Sequence, residues 1–424
     1  MTAKEIRKHL RVMGVKGENK DPYPVDCWEE TEDYWLVPRA WGYARFEGQN
    51  KTTKPRVKWQ PKPGFKYKHD QKEVIEKAVS ECKESLGVRV SCSTGWGKTV
   101  SSLKMAEKLN TRTLIIVDQT SLADQWEERY ADFYEGSVGR VQGDTYDIDH
   151  TVVIAMAQTL YSRLDTLPKK FWSHFGTVIC DEAQNLCTKT MTSILSKLKA
   201  RYRIGVSATW RRTDKTEKIW DMLISPIAIK GKRTDKLKKR YEVHNLDLGF
   251  KNNSFYNHWK GSMDFNKVLD KLSNHMEYNR WLTEKITELV EEERQVVVAF
   301  ARKQQIEYIE EMLDIECGVF VGSYKGKTLK KDELAIVAGK NPILCTFGKM
   351  KKGIDIPRLD TLIIAAPIRD QEQLIGRINR ELEGKKECLV IDVRFPEISY
   401  LNGQSRNRDK LYKKLGWKIE NSES

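Results

Sequence analysis

The sequence has no Cys-x-x-Cys pair, no solenoid-type repeat and no low-complexity tract. Its N-terminus, MTAKEIRKHLRVMGVKG, lacks the apolar core of a secretory signal. Its most apolar runs, such as Thr361–Ile368, are strand-length, far short of the roughly 18 residues that a membrane-spanning helix needs. Eight cysteines, at 27, 82, 92, 180, 187, 317, 345 and 388, are scattered, and several sit in or beside apolar runs. The seven histidines are equally dispersed. Together these absences exclude a disulfide scaffold and a structural zinc site as organising features, and they predict free, buried thiols in a reducing cytoplasm with no membrane partner.

What is present is an ordinary globular balance, 39% hydrophobic and 32% charged, over 424 residues. That length predicts two or three domains, at about 150 residues each. Lys and Arg number 74 against 60 Asp and Glu, a net charge of +14. The excess favours a polyanionic partner, nucleic acid before membrane, because no basic amphipathic anchor stands out.

From about Lys66 onward, short apolar runs alternate with helical patterns, the rhythm of an α/β fold with parallel sheets. In the first half the predicted strands are Val88–Cys92, Thr113–Val117, Val152–Ala155, Thr177–Cys180 and Arg203–Val206. In the second half they are Gln295–Phe300, Val319–Val321, Ile343–Thr346, Thr361–Ala365 and Cys388–Val393. Two α/β lobes are therefore expected in tandem, over residues 66–238 and 239–424. The basic stretch Lys230–Arg240 between them reads either as a solvated linker or as a loop near a phosphate backbone.

Residues 1–65 break this rhythm and carry Trp28, Trp35, Trp41 and Trp59. They predict a small, mostly β accessory domain built on Tyr34, Trp35, Leu36, Val37, Tyr43 and Phe46. The acid-free, proline-containing segment Lys51–Lys68 then offers two readings. Bases could stack on Trp59 or Tyr67 while lysines screen phosphates, or the aromatics pack on the neighbouring domain.

The strongest chemical signal begins at Val90, in VSCSTGWGKTVSSLKMA. A strand-like run leads through Thr94-Gly95-Trp96-Gly97-Lys98-Thr99 into a helical pattern, the order a phosphate-binding loop requires. Gly95 and Gly97 let backbone N–H groups face the phosphates. Lys98 is placed to reach the β- and γ-phosphates, and Thr99 to ligate Mg²⁺. Downstream, TVICDEAQ delivers Asp181 and Glu182 to the C-terminal end of a strand, where open α/β sheets hold their ligands. Asp181 is predicted to hold the metal and Glu182 to orient or deprotonate a water.

Taken in order, the phosphate loop, DEAQ and Ser207-Ala208-Thr209 resemble motifs I, II and III of superfamily 2 helicases and translocases. TFGKMKKGIDIP (Thr346–Pro357) and QLIGRINR (Gln373–Arg380) are similar to motifs V and VI. The resemblance covers roughly residues 66–418, and within the superfamily the layout looks most like UvsW-like branched-DNA helicases, related to the RecG and RadD kind. DEAQ in place of DEAH, and Trp210 where relatives often carry proline, are departures that remove no charge.

The resemblance implies two RecA-like parallel-sheet lobes, the cofactors ATP and Mg²⁺, and forked or branched DNA as partner, in a bacterial or phage-infected cytoplasm. It assigns adenine reading to Gln71 and a catalytic role to Gln184. Gly353, Asp355 and Gln373 border the nucleotide cleft, and Ser207 and Thr209 couple the carboxylates to the nucleic-acid side. Arg377 and Arg380, three apart on a predicted helix, are arginine fingers facing one way. Thr120, Gln158, Thr159 and Thr346 hold phosphates. An RNA helicase of the same superfamily and a duplex translocase of a restriction or remodelling complex remain as alternatives.

Overall fold

The computed structural model describes residues 1–421 except 17–20, 31, 33, 34, 47–51, 94, 187, 211, 213, 233–236, 258–261, 324–330, 354, 355, 369 and 370. The chain divides into two compact units, Met1–Thr234 and Asp235–Ser424. No helix among the described residues is long and apolar enough to cross a membrane.

The first unit is built on an eight-stranded sheet. Its order is Ala228–Gly231, Gly87–Cys92, Tyr202–Ser207, Thr177–Cys180, Thr113–Val117, Val152–Met156, Gly139–Gln142 and Thr145–Tyr146. Neighbours are parallel except for the last, hairpin pair. The central strands Thr113–Val117, Thr177–Cys180 and Tyr202–Ser207 are buried along their whole length. Such strands, covered on both faces, read as continuous apolar runs, which is why they are legible in the sequence. Two apolar clusters flank the sheet, one centred on Val88, Leu103, Ile115 and Trp126, the other on Leu114, Phe171, Ile194 and Trp220.

The N-terminal region is β-rich, with a hairpin of Arg11–Lys16 against Asp21–Asp26 and a short pair, Glu29–Glu30 with Trp35–Leu36. It opens on a helix, Ala3–Leu10, started by a capping box between Thr2 and Glu5. Its buried side chains differ from those expected. Leu36, Tyr43 and Phe46 are exposed, and Tyr34 lies outside the described residues. Leu10, Val25, Cys27 and Trp41 are buried, and they join the sheet-flanking cluster of Leu114 and Phe171. The region thus shares the first unit's core. Few of its residues are apolar enough to enclose a core of their own.

The second unit carries a seven-stranded, all-parallel sheet: Gly318–Phe320, Ile343–Thr346, Val296–Phe300, Thr361–Ile364, Cys388–Arg394, Lys239–Asn245 and Lys418–Asn421. Part of the expected linker is therefore strand, since Lys239 and Arg240 open Lys239–Asn245, with Tyr241 and Val243 as its buried residues. Both units are doubly wound α/β sheets, as the alternation of elements predicts.

Candidate nucleotide site and nucleic-acid edge

In the first unit, strands Gly87–Cys92, Tyr202–Ser207 and Thr177–Cys180 lie side by side and parallel, so their C-terminal ends share one edge. The phosphate loop leaves the first of these strands and enters helix Lys98–Leu109. Gly95 and Gly97 have φ of 83° and 94°, left-handed values that a side chain rarely adopts. A Cβ on Gly97 would also sit 2.4 Å from Gln71 Nε2.

Trp96, in the loop's variable slot, is 1% exposed. Its indole donates to Asp70 Oδ1 at 2.6 Å, and its carbonyl accepts from Gln71 Nε2 at 2.7 Å. The ring lies against Gly231, where a Cβ would meet it at 2.7 Å. Trp96 is an anchor for the loop. Gln71, the expected adenine reader, spends its amide on the chain itself, because Oε1 also accepts from Lys68 N at 2.8 Å.

Asp181 and Glu182 follow the strand Thr177–Cys180 directly. Glu182 sits at φ 44°, a left-handed value that costs a non-glycine residue about 1 kcal/mol or more and clusters at functional sites. Lys98 Nζ forms an ion pair with Glu182 Oε1. Gln184 Nε2 donates to Glu182 Oε2, and Ser207 Oγ donates to Gln184 Oε1. Ser207 Oγ in turn accepts from Thr209 N at 3.1 Å. One hydrogen-bonded chain therefore joins motifs I, II and III.

Asp181 is 3% exposed, with Oδ1 accepting from Glu182 N and Oδ2 from the Trp126 indole, each at 2.8 Å. Burial, reinforced by the neighbouring Glu182 charge, pushes its pKa up to about 6 against the pull of Lys98 and Trp126. For Lys98 burial works the other way, but the Glu182 and Asp181 carboxylates overcome it and hold the ammonium above the ordinary lysine value. Thr99 is the second residue of the loop's helix. Its hydroxyl and the Asp181 carboxylate are hard oxygen donors, the type Mg²⁺ takes. Thr94 lies outside the described residues.

Along the same edge, Thr120 begins helix Thr120–Phe133, and its Oγ1 accepts from Gln142 Nε2 at 2.9 Å. Thr159, on helix Ala157–Ser162, accepts from Gly143 N at 3.1 Å, and Gln158 is exposed beside it. The turn at Gln142–Gly143 thus gathers two of the expected phosphate contacts. Trp59 is different. It is 7% exposed, packs on Tyr130 and Tyr134, and donates to Thr111 O at 3.3 Å. The apolar ring is worth more in the core than in water, so it is a packing residue and no stacking platform. Tyr67 is the exposed aromatic of that segment.

In the second unit, Thr346 ends strand Ile343–Thr346, Gly353 closes helix Phe347–Gly353, and Asp355 lies outside the described residues. Gln373 and Arg377 are on helix Glu372–Ile378. Arg380 is not. The helix is capped at Asn379, so the expectation that both arginines share one helical face fails for Arg380, which follows the cap. Sequence reading gave no role to Trp126, Gln142 or Arg212. Only Trp126 carried a signal, as an indole on the buried stripe of its helix.

Comparison with known proteins decides the family. Residues 64–212 match the family described as Type III restriction enzyme, res subunit, and residues 279–382 match the helicase conserved C-terminal domain. The chain belongs to the superfamily 2 helicases. It is an ATP-hydrolysing helicase that binds nucleic acid. A putative ATP-dependent RNA helicase, L396 of Acanthamoeba polyphaga mimivirus, is 24% identical over 99% of this chain and 83% of its own length. A probable helicase, D10 of Escherichia phage T5, is 26% identical over 84% of this chain and 77% of its own. The DNA-bound Type ISP restriction-modification enzyme LlaBIII is structurally similar, with a TM-score of 0.57 and 18% identity, covering 86% of this chain and 32% of that one.

Proposed function

We propose that this helicase is an ATP- and Mg²⁺-dependent DNA motor that remodels forked or branched DNA in replication, recombination or repair. The observation that carries the reading is the convergence of Lys98, Asp181, Glu182, Gln184 and Ser207 into one hydrogen-bonded cluster at the sheet edge.

Each residue has a task that follows from its place. A triphosphate competes with Glu182 for Lys98. Once the ammonium turns to the β- and γ-phosphates, the Glu182 carboxylate is free to take the proton of an attacking water, with Gln184 fixing its orientation. Thr99 and Asp181 would hold Mg²⁺, which neutralises charge on the phosphates. Ser207 and Thr209 report the state of Gln184 to the rest of the edge. The resemblance gives Arg377 and Arg380 the part of arginine fingers, whose guanidinium charge on the γ-phosphoryl group is worth about 10³–10⁵ in rate. The resemblance gives Gln373, Gly353 and Asp355 the remaining nucleotide contacts. Thr120, Gln158, Thr159 and Thr346 hold a backbone by neutral hydrogen bonds, which position it without reading sequence.

The net charge of +14 supports a polyanionic track, and the DNA-bound neighbour supports DNA. A second reading, an RNA helicase, draws on the name of the mimivirus relative. ATP turnover measured with single strands, forks, four-way junctions, blunt duplex and RNA duplex separates these readings. Branched DNA is expected to stimulate most, and an equal or greater response to RNA would overturn the substrate assignment. Stimulation by blunt duplex without strand displacement would identify a translocase instead.

A further inference from the structure

Just past motif III, the chain makes a clamp. Arg212 Nη1 donates to the carbonyl oxygens of Gln184 and Leu186, the latter at 2.8 Å. Both carbonyls belong to the turn that carries the end of DEAQ. The other side of the guanidinium is held by Asp214 in a bidentate pair, Nε to Oδ1 at 2.9 Å and Nη2 to Oδ2 at 2.7 Å. Thr216 closes the loop, donating to Asp214 Oδ1 from N at 3.1 Å and from Oγ1 at 2.7 Å, and it meets Thr188 Oγ1 at 3.3 Å. The Arg212 and Asp214 side chains are only 11% and 21% exposed. Despite partial burial, Arg212 and Thr216 draw the Asp214 carboxyl down to about 2.

Asp214 is also where the N-terminal hairpin arrives. Val15 N donates to Asp214 O at 3.0 Å, and the Tyr23 hydroxyl donates to Asp214 Oδ2 at 3.4 Å. Gly14 and Tyr23 are directly paired across the hairpin, and a Cβ on Gly14 would lie 2.6 Å from the tyrosine ring. Glycine at 14 is what lets the ring lie flat across the strand.

We propose that Arg212 is a positioning residue for ATP hydrolysis, holding the DEAQ turn in register, and that the N-terminal hairpin fixes Arg212 through Tyr23 and Asp214. The inference rests on the reading of Glu182 and Gln184 as the hydrolytic groups. The line runs from hairpin to Asp214, from Asp214 to Arg212, from Arg212 to the Gln184 carbonyl, and from the Gln184 amide to Glu182. A planar fork is needed at its centre. Lysine has no geometry that spans two carbonyls and a bidentate carboxylate at once.

The test uses full-length protein and the variants Arg212→Ala, Arg212→Lys, Asp214→Asn and Tyr23→Phe, with two readouts. In steady-state kinetics under saturating polynucleotide, Arg212→Ala is expected to lower kcat about ten- to hundred-fold, the scale of a misplaced catalytic group. KM for ATP should stay within about three-fold, the mark of a loss confined to the transition state. Arg212→Lys should not rescue. Tyr23→Phe should lower kcat about two- to five-fold alone and have no further effect in the Asp214→Asn background, since coupled residues are not additive. In hydrogen exchange, the Asn185 and Leu186 amides, bonded to Glu182 O and Ala183 O, should exchange about ten-fold faster in Arg212→Ala and Asp214→Asn while strand Tyr202–Ser207 is unchanged. Unchanged exchange at those two amides, or strictly additive Tyr23 and Asp214 effects, overturns the inference. Exchange needs no turnover, so a wild type inactive with every polynucleotide would count against the proposed function and leave this measurement decisive. Should Arg212→Ala not fold, Asp214→Asn and Tyr23→Phe carry both readouts.

Discussion

Trp126 Nε1 donates a 2.8 Å hydrogen bond to Asp181 Oδ2, so the helix that begins at Thr120 holds the carboxylate proposed to bind the metal. Both groups are buried. Trp126→Phe keeps most of the ring but strips a buried acceptor of its donor, which costs about 1–3 kcal/mol. The expected outcome is a lower Tm together with a several-fold higher Mg²⁺ requirement for ATP turnover. An unchanged Mg²⁺ titration would separate the tryptophan from the site.

The raised pKa of Asp181 gives a pH dependence of definite sign. Its folded value, about 6, lies above the ordinary 3.8, so the folded state binds more protons across that window. The favourable contribution is full below the unfolded value and is lost as pH rises through the folded one. Activity moves in the opposite direction, because the ionised carboxylate is the metal ligand. A proton on Asp181 competes with the metal, so the apparent Mg²⁺ affinity for ATP turnover should weaken as pH drops through about 6, while chemical denaturation at fixed temperature shows no matching loss of stability from this group. An apparent Mg²⁺ affinity that is flat down to pH 5 contradicts the assignment.

Trp96 predicts a coupling between loop anchoring and nucleotide binding. Truncating this fully buried ring removes its packing on Gly231 and its bond to Asp70. Trp96→Ala should destabilise the protein by about 3–5 kcal/mol, the range for large aromatic deletions. It should also weaken ATP binding, because without the buried ring the loop backbone, whose Trp96 carbonyl the substitution keeps, is no longer held in place against Gln71. Denaturant unfolding and equilibrium binding of a fluorescent nucleotide measure the two effects.

In the second unit, Asp392 sits in a charge cluster with Arg394 at 2.8 Å and Arg408 at 2.9 Å, and Arg394 also pairs with Asp409 at 2.6 Å. The Asp392 and Arg408 side chains are almost fully buried. Asp392→Ala leaves the buried Arg408 without its carboxylate, while Arg394 keeps Asp409, so the substitution should cost about 3–5 kcal/mol of stability. Urea unfolding followed by circular dichroism checks this.

How much was legible beforehand varies with how a residue announces itself. The buried central strands, such as Thr113–Val117 and Thr177–Cys180, match the sequence expectation residue for residue because both faces are covered and the apolar run is unbroken. Strands Ala228–Gly231, Lys239–Asn245 and Lys418–Asn421 were missed. They are polar or half-exposed, lie at or near sheet edges, and were hidden in basic sequence. Lys98, Asp181 and Glu182 were readable because phosphate chemistry demands those side chains at fixed spacing. Arg212 and Asp214 were not, since their partners are carbonyl oxygens and a hairpin some 190 positions away, and composition carries no trace of such contacts. Trp59 shows the opposite error. An aromatic among lysines looked like a stacking platform, and tertiary packing against Tyr130 and Tyr134 claimed it.

The most direct measurement is ATP turnover and ATP affinity of Glu182→Gln beside wild type, with branched DNA saturating. If Glu182 is the base released from Lys98, the variant binds ATP within a few-fold of wild type, and its turnover falls by about 10²–10⁴, the worth of a positioned general base. Turnover of Glu182→Gln equal to wild type would contradict the account.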